Sequence, residues 1–315
     1  MRRTSRSLGV SFLLTLLVIG NVVGQRRDRN LELPSGWSDT YFERLDEGRS
    51  PKTIVAVMDF SGGELLEERV RFRMSDMLIT PLVQAGRFDV VERERLDAVF
   101  AEQNLQRSAA IDPTTAVRIG RLLGAELVVF GLVTQAADQK IDRFSYDVIR
   151  VEVGVEVRGV NTETGQVIIS RSATGVAEDR IVTTASGQVV RGPTDYDPLY
   201  LQATVDALEQ AAQMVSYAAP LIGFVVNVQG DDVMIDLGES RGVSEGDSFV
   251  VFRRGEEIVH PVSGDRIGWN KSVLAEIEIQ STQRDLATGE IVTVVDRDVQ
   301  LVPGDIVFFR APSGN

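Results

Sequence analysis

Hydrophobic and polar positions divide this chain into two halves of different rhythm. Thr53 to Phe60 (TIVAVMDF) is a continuous apolar run, the pattern of a strand buried on both faces, and Ser61-Gly62-Gly63 closes it. Glu64 to Ala85 then carries helical spacing at Leu66, Val70, Met74, Met77, Leu78 and Leu82, with Gly86 as its stop. Pro81 lies inside that run and is expected to kink the helix or end it early. Phe88 to Val91 predicts a short strand, and Glu92 to Gln103 a helix through Leu96, Val99 and Phe100. Asp112-Pro113 supplies a cap with proline in the first turn, and the helix it opens runs to Gly124. Leu127 to Val133 (LVVFGLV) is a further buried strand. The order β-α-β-α-α-β predicts an α/β layer.

The period changes after that. Val148 to Val160 alternates, with Val151, Val153, Val155 and Val157 on one side and Glu152, Glu156 and Arg158 on the other. Asn161-Thr-Glu-Thr-Gly165 turns the chain into Gln166 to Thr174, an antiparallel hairpin with one wet face. Residues 178–198 are polar, and Tyr200 to Tyr217 is a closing helix with Leu201, Val205, Leu208, Ala212 and Val215 inward. From Pro220 onward, short strands and turns replace helices: 223–228, 232–237, 248–253, 274–280, 291–295 and 306–310. Two stretches echo one another there. Val243-Ser-Glu-Gly-Asp247 and Leu301-Val-Pro-Gly-Asp305 are both Gly-Asp turns feeding a buried strand, which reads as recurrent turn chemistry in a small β-barrel.

The N-terminal end has the order of an export signal. Met1 to Ser7 is basic, Leu8 to Ile19 is largely apolar, and Val22 and Gly24 are small residues before a cut at Gln25. The other reading is an uncleaved anchor, but Leu8 to Val23 falls short of the ~20 residues of a usual span. No Cys follows the small residues, so no lipid anchor is expected. Residues 25–50 are polar and turn-rich and read as an extended leader, in which Trp37, Tyr41, Phe42 and Leu45 share one face of a short helix. That face packs on the leader's own domain or, as an arm, on a neighbouring subunit. In the second case Trp37, Tyr41 and Phe42 are a candidate subunit interface. The expected division is a signal peptide over 1–24, a leader over 25–50, an α/β domain over 51–219 and a β-domain over 220–315.

Charge and composition narrow the chemistry. Lys and Arg number 33 against 46 Asp and Glu, and without the first 24 residues the balance is 30 to 46, or −16. Counterion release has little to work with on such a surface, which argues against a nucleic-acid partner. Cys is absent and His occurs once, which excludes thiol chemistry and Cys-based or His-rich metal centres. Gly238-Glu-Ser240-Arg-Gly242 and Gly242-Val-Ser244-Glu-Gly246 match a nucleophile-elbow string, with His260 as the one possible base. A strand follows each serine where an elbow needs a helix, so turn composition explains the match. Ser61-Gly62-Gly63 precedes Glu64, Glu67 and Glu68, which would repel a phosphate, so a tight turn is expected there. Asp231-Asp232 lacks the spaced oxygens of a calcium loop, and Glu276 and Glu278 read as the solvated face of a barrel strand. No catalytic residue, cofactor or metal is expected.

Residues 53–133 nevertheless resemble a known family, the curli production assembly/transport (CsgG-like) proteins. The resemblance lies in Ile54-Val-Ala-Val-Met-Asp-Phe60, Ser75-Asp-Met-Leu-Ile-Thr80, Arg87-Phe-Asp-Val-Val-Glu-Arg93 with Leu96, and Ile119-Gly-Arg-Leu-Leu-Gly-Ala125 leading to Gly131. Val155 to Ser170 is similar to the family's strand-turn-strand, and residues 221–312 resemble the β-rich C-terminal domain of flagellar assembly protein T. The resemblance implies an α+β protein: a mixed sheet with packed helices, then a small all-β, SH3-like or barrel domain. It implies a homo-oligomeric ring and envelope or secretion-system partners. The family's pore members carry a lipidated Cys, absent here, and insert two β-hairpins, which would fall at 134–150 and 176–199. In the first, Phe144, Tyr146 and Val148 share a row with Lys140 and Asp142, and the second offers isolated valines among Thr, Ser, Gln and Gly. The expectation is a non-enzymatic periplasmic scaffold, peripheral to the outer membrane, that supports a curli-like or flagellar structure. The alternative is a subunit of a curli-type secretion channel.

Overall fold

A computed structural model of the chain describes residues 52–62, 66, 73–103, 113–143, 146–183, 189–193, 195–295 and 300–311. The expected signal peptide and leader, with Trp37, Tyr41 and Phe42, lie outside them. The first part is a six-stranded mixed sheet in the order β2-β1-β3-β4-β5-β6. Its strands are β1 (Thr53–Val57), β2 (Phe88–Val90), β3 (Leu127–Arg143), β4 (Tyr146–Asn161), β5 (Val167–Thr183) and β6 (Val189–Arg191). β1 runs parallel to both β2 and β3, and every later pair is antiparallel. Four helices are described with it: α1 (Met74–Gln84), α2 (Arg93–Glu102), α3 (Pro113–Leu123) and α4 (Asp197–Ala218).

The strand periodicity decides which helix covers which face. Val151, Val153, Val155 and Val157 of β4 are fully buried in one row under Leu78 and Leu82 of α1 and Leu208 of α4. Each such side chain contributes roughly 1.5–3 kcal/mol, an upper range because denatured chains already bury part of it. Val128, Phe130 and Val160 face the other way, onto Leu96 and Phe100 of α2 and Ile119 of α3. α4 comes unusually close to β5. A Cβ on Gly175 would stand 1.9 Å from the Ala203 carbonyl, so only glycine fits beneath this alanine-rich helix face.

Two expectations are revised. α1 passes Pro81 and closes three residues later at Gln84, where the Ala85 N–H donates to the Pro81 carbonyl. The strands β3 and β5 run well past Val133 and Thr174, to Arg143 and Thr183. Residues 134–143 and 146–154 form one continuous hairpin with the sheet, paired from Gln135↔Gly154 to Arg143↔Tyr146. Their own side chains do not dictate this. Backbone pairing to the valine-rich β4 carries the pattern outward, and the rows on β3 remain polar. The Tyr200 hydroxyl of α4 donates to Asp138 on this extension at 2.8 Å, and burial with that bond pushes Tyr200 up to about 12.

The second part is a closed antiparallel barrel in the order β10-β11-β8-β7-β12-β9. Its strands are β7 (Ile222–Gln229), β8 (Asp232–Ile235), β9 (Ser248–Val259), β10 (Arg266–Thr282), β11 (Ala287–Val294) and β12 (Ile306–Arg310). Val225, Val233, Ile235, Phe249, Val251, Ile277, Ile279 and Val307 fill it. The register defines two poles. One carries the starts of β9 and β12's end at Arg310; the other carries the β7–β8 turn and the end of β11. β9 leaves β12 at Phe252 and β10 joins β11 only at Ala275, so between them a two-stranded ribbon projects beyond this second pole.

Candidate functional site

The serine-hydrolase constellation is taken apart by this topology. Ser240 sits in a 3-10 turn and donates its hydroxyl to Asp285 at 2.8 Å, on the same pole as Ser244. His260 sits at the tip of the ribbon beyond the opposite pole, and the length of β10 alone separates the two ends by on the order of 50 Å. There its Nδ1 accepts the backbone N–H groups of Val262 and Ser263 at 3.3 and 3.1 Å. The Ser61 segment is no anion cradle either. The Ser61 N–H donates to the Gly131 carbonyl and its carbonyl accepts from Val133, both at 2.9 Å, extending the β1–β3 pairing. Glu278 is exposed as expected, but Glu276 is buried beneath Arg310, whose guanidinium donates to it at 2.8 Å. Among the described residues no cluster of His, Cys, Asp or Glu is placed to hold a metal ion.

What the structure does bring together is a polar knot, an edge and a seam. Arg93, Asp59 and Ser75 form the knot: Arg93 pairs with Asp59 and donates to the Ser75 hydroxyl at 3.0 Å. It joins the end of β1 to the starts of α1 and α2. Along the free edge of β5, Asp206 of α4 accepts the Val176 N–H at 2.9 Å and Gln210 donates to the Thr174 carbonyl at 3.1 Å. Two backbone groups that would recruit another strand are thereby occupied.

The seam joins the sheet layer to the first pole of the barrel. Arg87, 3% exposed, donates to the Ser216 carbonyl in the last turn of α4 at 2.9 Å. A cation there meets the negative end of the helix. The guanidinium also lies over the Phe309 ring of β12, 4.1 Å from its centroid, and Phe309 stacks on Tyr217. Burial lowers Arg87 to about 10, against the raising influence of Asp247 and Tyr217. Two left-handed glycines lock the backbones around it. A Cβ on Gly86 would stand 2.4 Å from the Ser240 carbonyl, and one on Gly242 2.2 Å from the Ala85 carbonyl. Neither the sequence motif holding Arg87 nor the glycines announced this role, because every partner is distant in sequence.

The second pole is different in kind. It opens into a cavity of about 440 Å³ lined by Val228, Leu274, Ala275, Ile291, Val294 and Leu301. The ribbon stands beside it with Ile258, Val259, Ile267 and, 88% exposed, Val262 in solvent. Arg253 guards the rim, clamping Asp305 with two hydrogen bonds of 2.6 and 2.8 Å and reaching the Gln300 carbonyl at 2.9 Å.

Comparison with known proteins adds the following. The family profile of the curli production assembly/transport component CsgG matches residues 53–218. Among solved structures, the lipoprotein GNA1162 from Neisseria meningitidis is 18% identical, with a TM-score of 0.33, covering 40% of this chain and 84% of that one. The LpoB C-terminal domain from Salmonella enterica is 15% identical with a TM-score of 0.30, over 42% and 90% of the two chains. The PelC dodecamer from Paraburkholderia phytofirmans is 14% identical with a TM-score of 0.29, over 53% and 88%. Among curated proteins there is no match.

Proposed function

The chain belongs to the family of the curli production assembly/transport component CsgG, and from that premise we propose that it is a non-enzymatic scaffold of the cell envelope. In this reading the CsgG layer assembles into a ring and holds the barrel outward as a fixed platform for an outer-membrane or surface structure. The observation that carries the reading is the seam, where Arg87 and the paired glycines fix one barrel pole to the layer and leave the other pole presented. The candidate nucleophiles and the histidine stand at opposite ends of the barrel, which supports a role without catalysis. Among the described residues no helix is long and apolar enough to cross a membrane. The polar rows of the 134–150 hairpin support the scaffold over the channel.

The mature chain is expected to begin near Gln25 and to fractionate with the periplasm, without incorporating labelled lipid. Its mass in solution should exceed a monomer and rise with salt, because subunits of net charge −16 repel one another when unscreened. Deleting residues 25–50, with Trp37, Tyr41 and Phe42, should lower that mass. Equal masses for the two proteins would restrict the leader to packing within its own subunit. Ion-conducting pores formed by the purified protein in lipid bilayers would replace the scaffold with the channel.

A further inference from the structure

The barrel's second pole combines three features that its folding does not account for. Its cavity is lined by aliphatic side chains together with Gly230 and Gln300 and is open to solvent, whereas protein interiors normally pack without such gaps. The ribbon from Gly255–Val259 to Arg266–Asn270 extends roughly 17 Å past the barrel, and a two-stranded ribbon is at best marginal in water. Among the described residues each of its strands pairs with one other strand only, and no third strand lies along the ribbon. Exposed aliphatics concentrate here: Ile258, Val259, Val262 and Ile267 on the ribbon, Val295 just past the end of β11 and Val302 in the turn before β12. A surface of this kind marks an interaction site.

Charge says what sort of partner fits. The turns and strand ends of this pole carry Asp231, Asp232, Glu256, Glu257, Asp265 and Glu290 against Arg254, Arg266 and Lys271. An anionic lipid surface or a second copy of this acidic chain meets repulsion here, and a basic partner does not. The ribbon cannot fill the cavity of its own barrel, because β10 holds the tip roughly 30 Å from Ala275.

We propose that this pole docks an extended segment of another polypeptide, with aliphatic or aromatic side chains flanked by lysine or arginine. The segment adds a strand to the ribbon edge and seats an anchor side chain in the cavity, so main-chain hydrogen bonds and one pocket share the recognition. This inference stands on the barrel alone and holds whether the CsgG layer forms a scaffold or a channel.

The test uses the mature full-length chain and a labelled peptide alternating valine and threonine, with two lysines at each end. Binding is expected to weaken as salt rises, and amide exchange in residues 255–259 and 266–270 to slow when the peptide is bound. Ile258→Glu with Val259→Glu on the exposed ribbon, and Val294→Phe at the cavity, should each weaken binding about tenfold or more. Unchanged far-ultraviolet circular dichroism serves as the folding control. The same peptide with glutamate ends should bind about tenfold more weakly. No binding of the lysine-ended peptide, equal binding of both peptides, or binding indifferent to the ribbon and cavity variants would overturn the proposal. So would loss of self-association in the ribbon variants without peptide binding, which would assign the pole to a second copy. Flotation with phosphatidylglycerol vesicles that depends on the ribbon, again without peptide binding, would assign it to lipid.

Discussion

Two turns of the barrel share one sequence pattern and one hydrogen-bond plan, yet stand at opposite poles in opposite surroundings. In the first the Ser244 N–H donates to the Asp247 carboxylate at 2.9 Å; in the second the Val302 N–H donates to Asp305 at 2.8 Å. Gly246 and Gly304 take the same left-handed place, with φ of 86° and 95°. The partners differ. Asp305 is clamped directly by Arg253, whereas Asp247 senses Arg87 at longer range, and Arg87 is engaged with a helix end and an aromatic ring. One local solution thus closes the open pole on itself and leaves the other pole free to be gripped by a neighbouring layer. Turn chemistry comes from sequence, and what the turn does comes from what is packed beside it.

The sharpest way to test this contrast is to place the same substitution at both poles. Gly86 and Gly230 have nearly the same φ, 69° and 65°, but a Cβ on Gly86 meets the Ser240 carbonyl while one on Gly230 meets nothing within 4 Å. Gly230→Ala is expected to cost about 1–2 kcal/mol, the left-handed penalty alone. Gly86→Ala adds a backbone collision across the seam and is expected to cost on the order of 3–4 kcal/mol. Denaturant unfolding measures both, and limited proteolysis should find the barrel loosened from the layer only in Gly86→Ala. Equal costs would mean that the seam yields and fixes nothing.

The part of this contrast visible in sequence is the part that depends on neighbours along the chain. The apolar runs at 53–60 and 127–133, the valine alternation of β4, the Asn161 turn and the six barrel strands could all be read from period and turn residues. Asn161 indeed accepts the Glu163 and Thr164 N–H groups at 2.9 and 3.0 Å. The ribbon could not be read. Glu256-Glu257-Ile258-Val259 has no period of two, because a projecting ribbon has no buried face to select one. The extension of β3 was hidden for the same reason, since Gln135 to Asp142 borrows its conformation from β4. Arg87 was visible as part of a motif, but its partners Ser216 and Phe309 are joined to it only by the fold.

The two arginines offer a second, smaller contrast. Arg253→Ala would remove the guanidinium that clamps the Asp305 carboxylate, whose side chain is 1% exposed, and leave it the Val302 N–H in the turn. An uncompensated buried carboxylate is costly, and about 3 kcal/mol of destabilisation is expected. Arg87→Ala removes one hydrogen bond to a helix end and one cation–ring contact but strands no charge, so about 2 kcal/mol is expected. Pairing each with its carboxylate separates the cases further. Asp305→Asn should recover part of the Arg253→Ala loss, whereas Asp247→Asn should recover little of the Arg87→Ala loss. Double-mutant cycles read by urea unfolding would show a strong coupling at the open pole and a weak one at the seam.

The smallest effect expected is one of pH. Burial raises the Asp247 carboxyl above its ordinary value of 3.8, and the Ser244 N–H and Arg87 offset this only in part. The folded chain therefore holds this proton more tightly than the unfolded chain does. The stability that follows is fully present below the ordinary value and is lost as pH rises through the raised folded value. Asp236, also raised by burial while accepting the Phe224 N–H at 2.6 Å, acts in the same direction. Asp247→Asn keeps an acceptor for Ser244 but cannot ionise. Its stability relative to the natural chain should therefore improve between about pH 4 and about pH 7, by less than about 1 kcal/mol. Arg87, lowered to about 10, stays charged across that window and contributes no slope. A difference that stays flat with pH would show that Asp247 ionises at the seam as freely as in water, and that the wall around Arg87 is wet.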